Sequence, residues 1–282
     1  MKIALIPNMT RQNAPDVTKK VLKELENLNV SVFLSNEFLS DFGERDYIIY
    51  CDIENSINEC DIVITVGGDG TFIKSAKLSA LENKPLLCVN AGKLAYLAGL
   101  ESTELALLKD VVEGKFKTEK RMMICATIID KSGRIIYHSN CLNDAVVSRC
   151  GNIRIMKLSI DCNGAPLMDY SADGVIISTP TGSTAYSFSA GGPVIEPQID
   201  SMLITPVCCH SFFSRSVVLR PDSVLEVRHD NIGEAMLSCD GEEPVLVPAD
   251  AIVKIEVSEK KAEFIKVKND TFIDILNKKM TK

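Results

Sequence analysis

The chain has 282 residues, 46% hydrophobic and 24% charged, with a formal net charge of −7. That length buries one large core or two modest ones, and the acid excess argues against non-specific nucleic-acid binding, which needs a basic surface to release counterions. No apolar run reaches the roughly 18 residues of a membrane span, and Met1-Lys2 leads straight into strand-like sequence, so neither a span nor a secretory leader is expected and a cytoplasmic location is.

Residues 2–7 are apolar and strand-like, and Val17, Val21, Leu22, Leu25 and Leu28 recur at helical spacing. Residues 62–66 form an apolar strand, 71–81 read as a helix and 85–90 as another strand. This alternation predicts a parallel α/β sheet with ligand loops at the carboxyl ends of its strands. After about residue 100 the pattern changes. Short strand-like runs at 122–129, 135–141, 145–148, 153–160, 216–219, 224–228 and 252–257 are separated by polar turns with little helix between them. The predicted fold is therefore α/β plus all-β, with an N-terminal Rossmann-like parallel-sheet domain at 1–100 and a C-terminal β-sandwich-like domain at 101–264. Ten cysteines are scattered without a Cys-x-x-Cys pair, which suits reduced, mostly buried thiols better than disulfides or a zinc site.

The first motif is Gly67-Gly68-Asp69-Gly70-Thr71, at the end of the 62–66 strand. A strand that empties into glycines and then a helix presents N–H groups and a helix dipole to a phosphate. Asp69 is out of place there unless it has a task, either taking a proton or helping to hold a metal. The alternative is that it caps the following helix. Ile73 stands where a dinucleotide fingerprint needs its third glycine. Neither Gly92-Lys93 nor Gly114-Lys115 completes a Walker A loop, and there is no Gly-x-Ser-x-Gly elbow.

The second motif spans 173–193, DGVIISTPTGSTAYSFSAGGP, a strand running into a turn of small hydroxyl residues and a short helix over about 183–190. Hydroxyls give directional bonds and small side chains leave room, which suits an adenosine with its base on Tyr186. An ordinary turn capped by Thr181 or Ser183 has the same composition. An acidic protein that binds anionic nucleotides must gather cations locally, and Lys74, Lys93, Arg121, Arg149 and Arg154 lie near these motifs.

Together the two motifs resemble the NAD kinase family, and the likeness extends to residues 2–11, Asn90-Ala91-Gly92-Lys93-Leu94, Asn143-Asp144, residues 204–211, Asp240-Gly241 and 272–276. The GGDGT turn alone is shared with lipid kinases, whereas the TPTGSTAYS block is far more specific. The resemblance implies transfer of the terminal phosphoryl of ATP, or of polyphosphate, to the 2′-hydroxyl of the adenosine ribose of NAD, giving NADP. It implies Asp69 as general base, with Gly67, Gly68, Gly70, Thr71 and Lys74 at the donor phosphates. Asp69, Gly70, Asn143, Asp144, Arg154, Ser171, Asp173, Thr181, Thr184, Ala185, Tyr186 and Ser189 are the implied NAD contacts, with Asp173 on the other half of the dinucleotide. Mg²⁺ would arrive with ATP rather than in a protein cage. The resemblance also implies a homodimer or homotetramer and a tail, 265–282, that returns to the first domain. His210, without companion ligand spacing, is expected to pack or hydrogen-bond. Ala95-Tyr96 and Glu242 depart from the family pattern, at the edge of the NAD pocket and after Asp240-Gly241. Two other readings share these motifs: a lipid kinase, which would not need the TPTGSTAYS pocket, and a non-catalytic NAD(P)-binding sensor, against which Asp69 speaks.

Overall fold

A computed structural model describes residues 1–92, 95–151, 155–212, 214–230 and 234–280. The chain divides into two compact units, one of Met1–Lys120 with Ala262–Lys282 and one of Arg121–Lys261. The first unit contains, in chain order, β1 (Lys2–Pro7), α1 (Ala14–Asn27), β2 (Ser31–Ser35), α2 (Leu39–Phe42), β3 (Ile48–Cys51), α3 (Ile53–Glu59), β4 (Ile62–Gly67), α4 (Asp69–Leu81), β5 (Leu86–Asn90), β6 (Leu100–Glu101) and α5 (Leu108–Val112).

Its main strands are parallel and ordered β3-β2-β1-β4-β5. Every residue of β4 is buried, which is why that strand reads as one unbroken apolar run. On α1 the buried positions are Ala14, Val17, Thr18, Val21, Leu22 and Leu25, the stripe expected from the sequence. The helix stops at Asn27, and Asn29 turns the chain in the left-handed region at φ +52°. From β1 the chain winds to one side through β2 and β3, whereas β4 and β5 lie on the other. The carboxyl ends of β1 and β4 therefore form the topological switch point, where open α/β sheets take their ligands.

The remaining elements are β7 (Lys117–Ile129), β8 (Ile135–Cys141), β9 (Asp144–Arg149), β10 (Met156–Cys162), β11 (Ala165–Ala172), β12 (Gly174–Ser178), α6 (Tyr186–Ser189), β13 (Met202–Val207), β14 (Val217–Leu219), β15 (Leu225–His229), β16 (Ala235–Cys239), β17 (Val245–Val247), β18 (Ile252–Lys266) and α7 (Phe272–Met280). In the second unit one antiparallel sheet runs β14-β13-β12-β9-β16-β17. A second group joins β11, β10, β15 and β18, with β7 and β8 attached beside β18. Ile124, Val147, Leu158, Tyr170, Ile177, Ile204, Val227, Leu237 and Ile255 share one buried cluster, the filling of a β-sandwich.

Two features differ from the pattern read in the sequence. Residues 101–120 belong with the first unit, because Leu105, Leu108 and Val111 enter its core. The helix expected over 183–190 is instead a 3₁₀ turn, Gly182–Thr184, followed by the single turn of α6. The segment from Ala262 lies in the first unit, with Phe264 of β18 opposite Leu86 of β5 in parallel register. No described helix is long and apolar enough to cross a membrane.

Strands β9 and β12 are drawn together at Gly174, where an added Cβ would sit 2.6 Å from the Val147 carbonyl oxygen. Gly174→Ala should therefore cost about 1–3 kcal/mol of stability in urea unfolding, the usual range for overpacking. Wild-type stability in that variant would mean that the two strands part freely.

Candidate functional site

In the first unit the glycine turn follows β4 at the switch point. Helix α4 begins at Asp69 itself, with Gly68 as its N-cap residue and no side-chain capping bond. The Asp69 carboxylate turns instead to the loop after β5, accepting the Tyr96 N–H on Oδ2 and the Leu97 N–H on Oδ1, each at 2.9 Å. The Ala95-Tyr96 departure thus falls where this loop meets Asp69, with Ala95 buried. Each carboxylate oxygen still has acceptor capacity left.

The glycines of this turn have different reasons for being there. A Cβ on Gly67 would lie 2.6 Å from the Thr71 hydroxyl, so this glycine is required by packing within the turn. At Gly68 and Gly70 a Cβ would meet nothing within 4 Å, and the space beside them is open. Thr71 Oγ1 accepts a 2.8 Å hydrogen bond from Asn8 Nδ2, and Asn8 Oδ1 accepts from the Thr10 hydroxyl at 2.7 Å. Asn8, just past β1, had no motif to mark it; its place at the switch point is visible only once strand order is known. Lys74 is exposed and lies four residues after Gly70, on the same helix face. Lys93 lies outside the described residues.

In the second unit the register sets Asp144 opposite Ser178, so the start of β9, the end of β12 and the end of β16 share one edge of the sheet. Along β9, Ala145 and Val147 face the sandwich core. Asp144, Val146 and Ser148 face the other way and, with Ser238, Ala185 and Tyr186, line a cavity of about 440 Å³. The 182–189 segment packs over the β12–β13 part of this face, where Ser187 Oγ and Thr205 Oγ1 are 2.9 Å apart. The β9–β16 part is left open. Asn143, Asp240 and Gly241 complete the rim.

Apart from Asp69 and Gly70 in the first unit, the described NAD contacts expected from the sequence divide between two places. Asn143, Asp144, Ala185 and Tyr186 line the cavity. Thr181 is buried beside them, its hydroxyl 3.3 Å from Arg121 Nη1, and the Thr184 hydroxyl donates to the Thr181 carbonyl at 3.4 Å. Ser189 is exposed at the end of α6. Asp173 and Ser171 are instead near the far end of β9, about 17 Å from Asp144 at roughly 3.4 Å per strand residue, and Asp173 precedes Gly174, the partner of the cavity residue Ser148. There Asp173 Oδ1 takes a 2.8 Å charge-assisted bond from Arg149 Nε, and Arg149 holds that carboxyl below the usual aspartate range. The Ser171 N–H donates to Ser211 Oγ at 2.7 Å and its carbonyl accepts from the His210 N–H at 2.7 Å. His210, expected to pack or hydrogen-bond, is exposed. Arg154 lies outside the described residues. Glu242 closes the turn after β16 by donating its N–H to the Cys239 carbonyl at 3.0 Å.

None of the ten cysteines forms a disulfide, and no group of three His, Cys, Asp or Glu side chains among the described residues could hold a metal ion.

The fold and these two motif sites have counterparts among known proteins. Residues 3–116 match the ATP-NAD kinase N-terminal domain and residues 142–267 the ATP-NAD kinase C-terminal domain. The NAD kinase of Acetivibrio thermocellus is 35% identical over 99% of this chain and 97% of its own length. That of Symbiobacterium thermophilum is 36% identical over 99% of each. Among solved structures, yeast NADH kinase complexed with NADH superposes with a TM-score of 0.90 at 22% identity, covering all of this chain and 87% of its own. An Archaeoglobus fulgidus NAD kinase in complex with ATP gives 0.74 at 24% identity, covering 98% of both chains. The protein is a phosphotransferase. It belongs to the NAD kinase family, which sets the lipid-kinase reading aside.

Burial, and then the neighbouring Asp240 charge, push the Asp144 carboxyl up to about 7. Its unfolded-state value is about 3.9, so the native state holds the extra proton between these values. The stability this provides is full below about pH 4 and is lost as pH rises through about 7. Asp144→Asn should match the wild type at pH 4 and exceed it at pH 8 by on the order of a few kcal/mol, measured by denaturant unfolding. Equal stability of the two proteins at pH 8 would show that Asp144 is ionised without penalty.

Proposed function

We propose that the chain transfers the terminal phosphoryl group of ATP, or of polyphosphate, to the 2′-hydroxyl of the adenosine ribose of NAD, yielding NADP. The observation that carries this reading is Asp69: a carboxylate among phosphate-seeking N–H groups, held by two backbone donors from the next loop and not used as a cap. Gly68, Gly70 and the start of α4 would hold the donor phosphates, with Lys74 offsetting their charge. Asn143, Ala185 and Tyr186 would receive the adenosine, the amide bonding the base edge and the phenol ring stacking on its face. Asp69 would accept the proton of the attacking hydroxyl, and Asp173 would contact the rest of the dinucleotide.

Mg²⁺ fits as a companion of the donor, since it keeps several waters and needs few protein ligands, and the Asp69 oxygens, each bonded to one N–H, keep acceptor capacity. When bound it supplies charge neutralisation on the phosphates. Exposed Ile155, Ile199, Phe212 and Val218 on the second unit support a homodimer or homotetramer, and the family reading supports a cytoplasmic enzyme.

The deciding experiment is a coupled assay of NADP formation with ATP, polyphosphate, NAD and NADH in all pairings. Asp69→Asn keeps one of two acceptors, so it should lower stability only modestly while turnover falls on the order of 10² to 10⁴, the usual worth of a positioned base. Excess chelator should abolish turnover. Near-normal kcat in Asp69→Asn, or phosphorylation of NAD lacking the 2′-hydroxyl, rules the mechanism out.

Ala185→Leu should block the adenosine cavity while the fold persists, because the added carbons enter space that is open in the native protein. Retained NAD affinity in that variant, read by calorimetry, would place the pocket elsewhere.

A further inference from the structure

The connection from β8 to β9 is Leu142-Asn143, and it ends in the residue that opens β9, Asp144. Three successive N–H groups here converge on one side chain. Asp240 Oδ2 accepts from Leu142 N at 2.8 Å, and Oδ1 accepts from Asn143 N at 2.7 Å and Asp144 N at 3.1 Å. The carbonyls of the segment are taken up as well. Thr179 donates its hydroxyl to the Leu142 carbonyl at 2.5 Å and its N–H to the Asn143 carbonyl at 2.8 Å, while Asp240 N donates to the Asp144 carbonyl at 2.9 Å. Sterics close the remaining side, because a Cβ on Gly182 would lie 2.1 Å from the Asn143 oxygen.

Every backbone polar group of Leu142, Asn143 and Asp144 named above thus has a partner, and the three N–H bonds all rest on one carboxylate. That carboxylate is aimed by an uncommon turn: Asp240 sits at φ +53° and Gly241 at φ +70°, a left-handed pair that folds the chain back at the end of β16. An ionised carboxylate is acceptor-only and bonds N–H groups about twice as strongly as a neutral acceptor does. A serine or an amide at this position could not take all three.

We propose that Asp240 is a positioning residue for the acceptor nucleotide: by gathering the Leu142, Asn143 and Asp144 N–H groups it fixes the Asn143 amide at the rim of the adenosine cavity, and NAD affinity depends on it through Asn143. This rests on the adenosine reading of that cavity. Its effect falls on NAD and not on the phosphate donor, since every contact described is confined to the cavity rim.

The test is steady-state kinetics on the full chain, with NAD and ATP varied separately, for Asp240→Asn, Asn143→Ala, the double variant and Asp240→Glu. Asp240→Asn replaces one oxygen by an amide that cannot accept, and should raise KM for NAD about tenfold or more with KM for ATP within about twofold. Because Asp240 acts through Asn143, adding Asp240→Asn to Asn143→Ala should change KM for NAD by less than about twofold. Asp240→Glu, which keeps both oxygens, should recover part of the loss. Hydrogen exchange covers the case of poor folding: amides 142–144 should be slow in the wild type and selectively faster in Asp240→Asn. An unchanged KM for NAD, additive effects in the double variant, or equal rises in both KM values overturns the proposal. So does fast exchange at 142–144 in the wild type. A wild-type chain that makes no NADP would instead sink the substrate assignment, and the exchange result would still judge the bracing by Asp240.

Discussion

Chain that leaves a sheet carries N–H groups with no ladder partner, and each motif site gives several of them to a single aspartate. Asp69 takes those of Tyr96 and Leu97, and Asp240 takes those of Leu142, Asn143 and Asp144. Breaking such a bond leaves a donor without its partner, so the carboxylate resists rearrangement of the backbone it holds. Tyr96 and Leu97 near the glycine turn, and Leu142, Asn143 and Asp144 at the cavity rim, are thus each tied by backbone to one carboxylate. That suits sites whose business is to orient a substrate.

The second unit also shows what this arrangement does to neighbouring charge. Asp240 is kept where its oxygens meet the backbone, and Asp144, one strand away, is raised first by its own burial and then by repulsion from Asp240. At neutral pH the folded protein is less stable than an uncharged pair would leave it. A site that sets two carboxylates side by side is organised for recognition, since stability alone would have favoured an amide.

Much of this was legible in the sequence, and the legible parts share a cause. The GGDGT turn, the TPTGSTAYS block and the stripe on α1 are local patterns whose meaning survives without knowing what lies opposite. Strands β2, β3, β6, β11, β13, β16 and β17 were not read. Residues 165–172, APLMDYSA, lack period-two alternation because only Tyr170 and Ala172 are fully buried there. The extension of β18 from 257 to Lys266 was hidden by its polar stretch Ser258-Glu259-Lys260-Lys261, half of it facing solvent. Asn8 and Asp240 act through partners about 60 and 100 residues away, and no spacing rule reaches that far. The motif placed Asp240 correctly as a landmark but could not say that its carboxylate is spent on backbone. Asp69 was ambiguous between cap and base in sequence; the start of α4 removes the cap because the helix begins two residues earlier than its apolar spacing suggested.

The division of the chain carries a consequence for biosynthesis. The second unit is one uninterrupted stretch, Arg121–Lys261, whereas the first unit needs Ala262–Lys282 to be complete. Ribosomes deliver a chain from its N-terminus, and early domains ordinarily finish first. Here the order is inverted: the sandwich can close while the older sheet still waits for its last strand partner beside Leu86. Until then β6 covers only the Val89–Asn90 end of β5, and the Leu86 end is left without its parallel partner, the kind of edge that invites mispairing. Nascent chains arrested before residue 262 should accordingly yield a protease-resistant sandwich beside a digestible N-terminal sheet.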